Sequence, residues 1–190
     1  MSVPIGLQYG KNPESILNQS QAKNSSGEIV GLQVQPGNTL ALVGGDVRLD
    51  GARLRAAGGR VELGGLAELG IVGLFVDGNN LSLSYPASVH RADVLLSNGA
   101  QVDVSASGGG SIAVNSRKID IVGGSGLLAG VREDRGAVDN TAGDVTLNAT
   151  DAIALKLSSA IQNLVNNNTK GNSGNIKIAA QSLDISDRST

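Results

Sequence analysis

Residues that could do acid, base or metal chemistry are thinly spread along this 190-residue chain. One histidine, His90 in "YPASVHRAD", and no cysteine are present, so thiolate nucleophiles, disulfides and cysteine-bound metals are excluded. Any triad or metal site would have to centre on His90, which has no second histidine and no patterned carboxylate pair beside it. The bland reading, a solvated histidine flanking a strand, is therefore preferred. Two carboxylates offer a sharper possibility. Asp120 and Asp184 occupy the same place in two copies of a short phrase, with Ala154 in the copy between them. Copies stacked at about 4.8 Å would put the two carboxylates roughly 10 Å apart, near the upper limit for the acid and base of an inverting polysaccharide hydrolase. Against this stand the intervening alanine, a column expected to hold no arginine or lysine, and the want of an aromatic sugar platform, Tyr9, Phe75 and Tyr85 being the chain's aromatic residues. The sequence predicts solvated aspartates and no catalytic residue.

Other motifs dissolve in the same way. "GGSG" and "SGGGS" lack the lysine and serine or threonine of a phosphate cradle and open no helix. "GGDVRLDGA" does not recur with the nine-residue period of stacked calcium sites. Arg53, Arg55 and Arg60 in "RLRAAGGR" have no interleaved aromatics and read as a solvated face. Sequons at Asn18, Asn24, Asn80, Asn148 and Asn167 are what an Asn-, Ser- and Thr-rich surface produces by chance. No cofactor and no metal is expected. With 15 basic and 17 acidic residues the net charge is −2, which gives the chain as a whole no attraction to nucleic acid or an anionic membrane. No basic leader followed by an apolar stretch opens the sequence, and its longest apolar run, "GLAELGIVGLFVDG", is too short to span a membrane.

The elements that would position such residues are more informative. Apolar residues come in pairs two apart, at 32 and 34, 40 and 42, 47 and 49, 54 and 56, 61 and 63, with glycine or a polar turn between pairs. These are strands too short for a sandwich and too regular for loops. Leu40 and Leu42 recur as Val61 and Leu63 after 21 residues, with two other short strands between. "GGSIAVNSRKIDI", "GDVTLNATDAIAL" and "GNIKIAAQSLDI" repeat the phrase again, Gly110, Gly143 and Gly174 lying 33 and 31 residues apart. Aligned copies place Ile112, Val145 and Ile176 in one column and Val114, Leu147 and Ile178 in the next. Ile119, Ile153 and Leu183, then Ile121, Leu155 and Ile185, form a second arm. The expectation is an all-β, three-armed parallel β-helix, a solenoid whose aliphatic columns fill a thin core. Residues 1–30 read as an irregular N-terminal arm and 31–190 as the solenoid, with glycine corners turning through positive φ. The polar runs "LAGVREDRGAVDNTAG" and "NLVNNNTKGNSG" read as insertions at one corner.

From "PIGLQYGKNPESI" through "GLQVQPGNTLALVGGDVRLDGARLRAAGGRVELGG" to the two last repeats, the sequence resembles haemagglutinin-like exoproteins of the two-partner secretion pathway, filamentous haemagglutinin-type, in their cyanobacterial form. The resemblance implies a right-handed parallel β-helix, export through a dedicated outer-membrane pore, and secretion or display at the cell surface as an adhesin. It places this chain after the family's N-terminal secretion domain, and the ending "DISDRST", inside a repeat, reads as a cut end. The implied function is a stalk and contact surface for an unknown surface or glycan receptor. Residues 66–100 and 131–142, the least periodic, are the expected contact segments, and the open last coil is an expected place for self-association. The rival reading is a carbohydrate-active β-helix enzyme.

Overall fold

The computed structural model describes residues 5–78, 80–132, 140–166 and 169–190, and every regular element among them is a β-strand. In chain order these are β1 (Gly6–Tyr9), β2 (Ile16–Asn18), β3 (Leu32–Gln33), β4 (Thr39–Gly44), β5 (Val47–Asp50) and β6 (Arg53–Arg55). Next come β7 (Arg60–Gly65), β8 (Gly70–Asp77), β9 (Asn80–Ser84), β10 (Val94–Ser97) and β11 (Gln101–Asp103). The remainder are β12 (Ser111–Ser116), β13 (Ile119–Ile121), β14 (Gly126–Val131), β15 (Val145–Ala149), β16 (Ala152–Leu155), β17 (Ala160–Val165), β18 (Ile176–Ala179) and β19 (Ser182–Ile185).

From β4 onward the chain visits three parallel sheets in rotation, leaving the circuit only for β8 and β9. Sheet I is ordered β19-β16-β13-β10-β5-β2, sheet II β17-β14-β11-β6-β3 and sheet III β18-β15-β12-β7-β4. Two strands therefore lie inside residues 1–30, and β2 docks at the end of sheet I with Ile16 opposite Val47.

The register follows the apolar columns. In sheet III, Leu40, Val61, Ile112, Val145 and Ile176 pair in turn, as do Leu42, Leu63, Val114, Leu147 and Ile178. In sheet I, Val47, Val94, Ile119, Ile153 and Leu183 align, with Leu49, Leu96, Ile121, Leu155 and Ile185 beside them. Alternation within each strand sends one set of side chains inward. Val145 and Leu147 are accordingly fully buried while Thr146, between them, is partly exposed. Each such aliphatic side chain contributes about 1.5–3 kcal/mol when removed from water, so a core of small aliphatics suffices because it is continuous along the stack. The first and last strands have a neighbour on one side only, which leaves Ile176, Ile178, Leu183 and Ile185 between 39% and 50% exposed.

Two features differ from the sequence expectation. Gly110 does turn through positive φ (61°), but Gly143 and Gly174 do not; there the backbone runs so close to the previous turn that a Cβ would collide with the carbonyl of Gly110 or Gly143. Close approach, rather than turning, fixes those glycines. The first part of each run read as a polar insertion is strand instead: β14 and β17 pair along their whole length, Gly126–Val131 against Ala160–Val165. Residues 133–139 and 167–168 of those runs lie outside the described residues. A corner ladder also holds the stack: Ser125 Oγ accepts from Ala100 N (3.1 Å), Ser159 Oγ from Ser125 N (3.2 Å) and Ser189 Oγ from Ser159 N (3.1 Å). These hydroxyls satisfy backbone donors that the sharp corner removes from the sheets.

Candidate functional site

The part of the molecule that simple stacking does not explain is sheet IV, an antiparallel sheet ordered β1-β8-β9. Asp77 pairs with Asn80 at the end of the hairpin, and Gly78, at φ 58°, lies in the tight reversal between β8 and β9, a conformation a residue without Cβ takes at little cost. Opposed pairs in the register share a face: Val72 with Leu7, Leu74 with Leu83 and Val76 with Leu81 point one way. Ile71, Gly73 and Phe75 point the other. The first set faces the outer surface of sheet III and completely buries Val72, while Val76 at one end stays 45% and Leu7 36% exposed. The second is open, with Phe75 67% and Ile71 56% exposed, and β1 forms a free edge.

Polar contacts fasten this sheet. Tyr9 donates its hydroxyl to Val43 O (2.9 Å), and Leu81 N donates to Thr39 Oγ1 (2.9 Å). Leu83 N reaches Glu62 Oε1 at 3.4 Å. Glu62 points outward from β7, yet sheet IV covers it so fully that its residual exposure is 0%. Its carboxylate pairs with Arg60 Nε (2.7 Å), while Oε2 has no hydrogen-bond partner. Burial pushes the Glu62 pKa up, partly offset by the Arg60 charge and hydrogen bond and by the Leu83 amide. Tyr85 lies over Gly64, which leaves room for its ring, and its phenol is raised far above the usual range, first by burial and then by the Glu62 charge. Arg91, 8% exposed, stacks over the Tyr85 ring at 5.3 Å and donates to Asn148 O at 3.2 Å. Burial lowers its pKa. Charge beneath a docked sheet costs desolvation, so the cluster is a means of fixing where sheet IV sits more than a source of stability.

The residues singled out from sequence fall elsewhere. His90 is exposed and contacts Glu68. Asp120, Ala154 and Asp184 are in register on sheet I as aligned, but a lysine does reach that column: Lys156 Nζ binds Asp184 at 2.6 Å, and this partnership raises the lysine's pKa. Arg53, Arg55 and Arg60 are not simply solvated, because each is tied across a turn or along its strand, to Gln101, Asp103 and Glu62 respectively. Asn18, Asn24 and Asn148 have side chains engaged in local structure; Asn167 and the Asn80 side chain lie outside the described residues. Among the described residues no group of three or more His, Asp or Glu could hold a metal ion, and no helix is long and apolar enough to cross a membrane. Sheet IV itself had a sequence signal, the Asp77-Gly78 pair between apolar runs. Nothing local, however, announced that β1, sixty residues earlier, would join it.

Three parallel sheets visited in rotation, with an antiparallel sheet fastened to one face, define an all-β protein built on parallel sheets. A family model described as the TPS secretion domain matches residues 1–114, and the chain belongs to this family, that of two-partner secretion exoproteins such as the filamentous haemagglutinin-type proteins. Membership implies an outer-membrane transporter as secretion partner and a secreted parent protein. No curated protein and no solved structure matches the chain. The match corrects one expectation: the chain does not start after the secretion domain, since residues 1–114 match that domain itself. Periodicity hid this because β4–β7 and β12–β19 use the same three-strand circuit.

Proposed function

We propose that the chain is a structural, adhesive segment of a secreted or surface-displayed exoprotein, folded as a right-handed parallel β-helix that acts as stalk and contact surface without catalysis. The right-handed assignment rests on the strong bias of parallel crossovers. On this reading residues 31–190 form the solenoid, 1–30 are an arm that lends β2 to its end, and sheet IV is the face offered to the outer-membrane pore. One observation carries the functional reading: the secretion-domain match at residues 1–114 includes all of sheet IV, which lies in the segment 66–100 and β1. Isolated apolar residues on a surface mean little, but Ile71 and Phe75 on one face beside a free strand edge form a surface suited to a protein partner. Receptor contact would fall on the remaining exposed faces. The half-exposed aliphatics of β18 and β19 are also suited to self-association, which light scattering against concentration would detect.

The test is export of the chain from cells that co-express the parent's outer-membrane transporter. The double variant Ile71→Asp with Phe75→Asp should reach the medium at a small fraction of the unaltered level while the purified variant keeps its thermal midpoint. Export at the unaltered level would remove sheet IV from the recognition surface.

A further inference from the structure

A groove crosses the outer face of sheet II, away from sheet IV. Its roof is the segment 22–31, closed by a bridge between Lys23 and Ile29 and by Val30 N and Gly31 N donating to Ala22 O. Asn24 stiffens this roof, its Oδ1 accepting from Ser26 N and Glu28 N and its Nδ2 donating to Glu28 Oε2 at 3.0 Å. Gly31, at φ 61°, lies so close to the Arg53 backbone that no side chain fits there, which holds the roof tightly to the sheet. The floor carries outward residues of two successive strands, Arg53 and Arg55 on β6 and Gln101 and Asp103 on β11, with Arg132 just past the end of β14.

The charge is arranged in a particular way. Arg55 Nη1 and Arg132 Nη2 both bind Asp103 Oδ2, at 2.6 and 2.7 Å, and Ser105 N donates to the other carboxylate oxygen at 2.9 Å. One carboxylate, only 14% exposed in its side chain, thus holds two guanidiniums in fixed orientation. Arg53 has the neutral Gln101 Oε1 as its partner among the described residues and no carboxylate. Three guanidiniums thus face two carboxylates, Asp103 and Glu28, which leaves the groove a surplus of one cation, with preoriented N–H donors, on a chain of net charge −2. None of the chain's two tyrosines and one phenylalanine lines it. Affinity there must come from charge-assisted hydrogen bonds rather than ring stacking.

We infer that this groove binds an acidic oligosaccharide, its acid group seated on Arg53 and Arg132 and its hydroxyls on Gln101 and Glu28. The inference deepens the contact-surface reading above by naming a ligand class. It is tested on the purified chain, so that a failure of export does not bear on it. The probe is fluorescein-labelled tetragalacturonate, followed by anisotropy at low salt, with a sulfated heparin tetrasaccharide as a second arm. Saturable binding that weakens with added salt is expected. Arg53→Ala and Arg132→Ala should each weaken it about tenfold, the effect of losing one charge-assisted hydrogen bond. Arg53→Lys should recover part of the loss, and Arg48→Ala, on sheet I and outside the groove, should change it less than about twofold. Tighter binding of the sulfated probe with the same arginine dependence keeps the site and identifies sulfate as its preferred acid. Four results would overturn the inference: no saturation, equal loss in Arg48→Ala, effective competition by neutral maltotetraose, or tighter binding of an oligoglutamate peptide.

Discussion

Between Ser111 and Ile185 each strand lies in register on the copy one turn earlier, and its outward side chains meet solvent or one another. Between Gly6 and Ser105 the same three sheets carry an extra antiparallel sheet, which seals Glu62 against β7 and buries most of Arg91. The first region keeps to one rule, aliphatic inward and polar outward, on sheets I and III, and departs from it on sheet II, where Asn163 is inward and Leu164 outward. The second departs from it most where sheet IV covers Glu62, and that place lies within the family match. Stacked parallel strands supply rigidity and length; position-specific recognition requires something that stacking alone does not dictate, and on the function proposed above a sheet fixed by buried charge supplies it. The comparison also separates two uses of burial, aliphatic columns for stability and a costly polar cluster for placement.

The regular region should be the less forgiving of charge. Leu147→Asp puts an unpaired carboxylate at a fully buried position and should cost about 4 kcal/mol, whereas Thr146→Asp, one residue away on the outer face, should stay within about 0.5 kcal/mol. Urea unfolding of both variants checks this, and equal losses would break the register. In the annexed region the charge is already present and depends on its partner. Arg60→Ala should cost about 2 kcal/mol, below the usual loss for a fully buried pair because a quarter of the Arg60 side chain is exposed. Adding Glu62→Gln to that variant should recover most of the loss. A smaller effect sharpens the picture of the corners: Ser159→Ala removes the acceptor for Ser125 N and should cost about 1 kcal/mol, with faster amide exchange at Ser125.

Acidity should move the two regions in opposite directions. The folded pKa of Glu62 is raised by burial, so its contribution is fully present below the ordinary glutamate value and is lost as pH rises through the elevated one. Acidification from neutral should therefore tighten sheet IV, and Glu62→Gln should flatten that response. Asp144 is lowered, first by its hydrogen bond from Lys177 and then by the Asn175 amide. Its contribution is present above the ordinary aspartate value and disappears as pH falls through the depressed one; its place at the surface, open to solvent screening, keeps it small. Amide exchange across β8 and β15 at several pH values distinguishes the two signs.

How much of this could be read from the sequence varies by element. The columns through Ile112, Val145 and Ile176 were legible because side-chain alternation and the repeat length give the same answer twice. Leu40 and Val61, at a shorter repeat, were legible for the same reason. Sheet IV was missed: the Asp77-Gly78 pair between apolar runs is a turn signal that was there to be used, whereas the pairing of β1 with β8 is a long-range contact with no local signature. The serine ladder was hidden because Ser125, Ser159 and Ser189 stand in unlike phrases and are related by their place at a corner. Arg53 and Arg55 looked solvated because their partners lie one turn later, on β11, and no spacing within "RLRAAGGR" points there. The candidate site was thus the least legible part, being built by contacts between turns.

The central claim is that both regions share one continuous stack. Arg48, Leu95, Asp120, Ala154 and Asp184 are successive neighbours on sheet I, so Arg48 and Asp184 lie four strand spacings apart, about 19 Å. Both side chains are more than half exposed, and the chain has no cysteine of its own. Spin labels at Arg48→Cys and Asp184→Cys, measured by pulsed electron resonance, should give a single narrow distribution near that spacing once label length is included. A broad distribution, or one centred at about twice that distance or beyond, would contradict a single stack and would mean that the annexed region and the regular repeats are separate bodies.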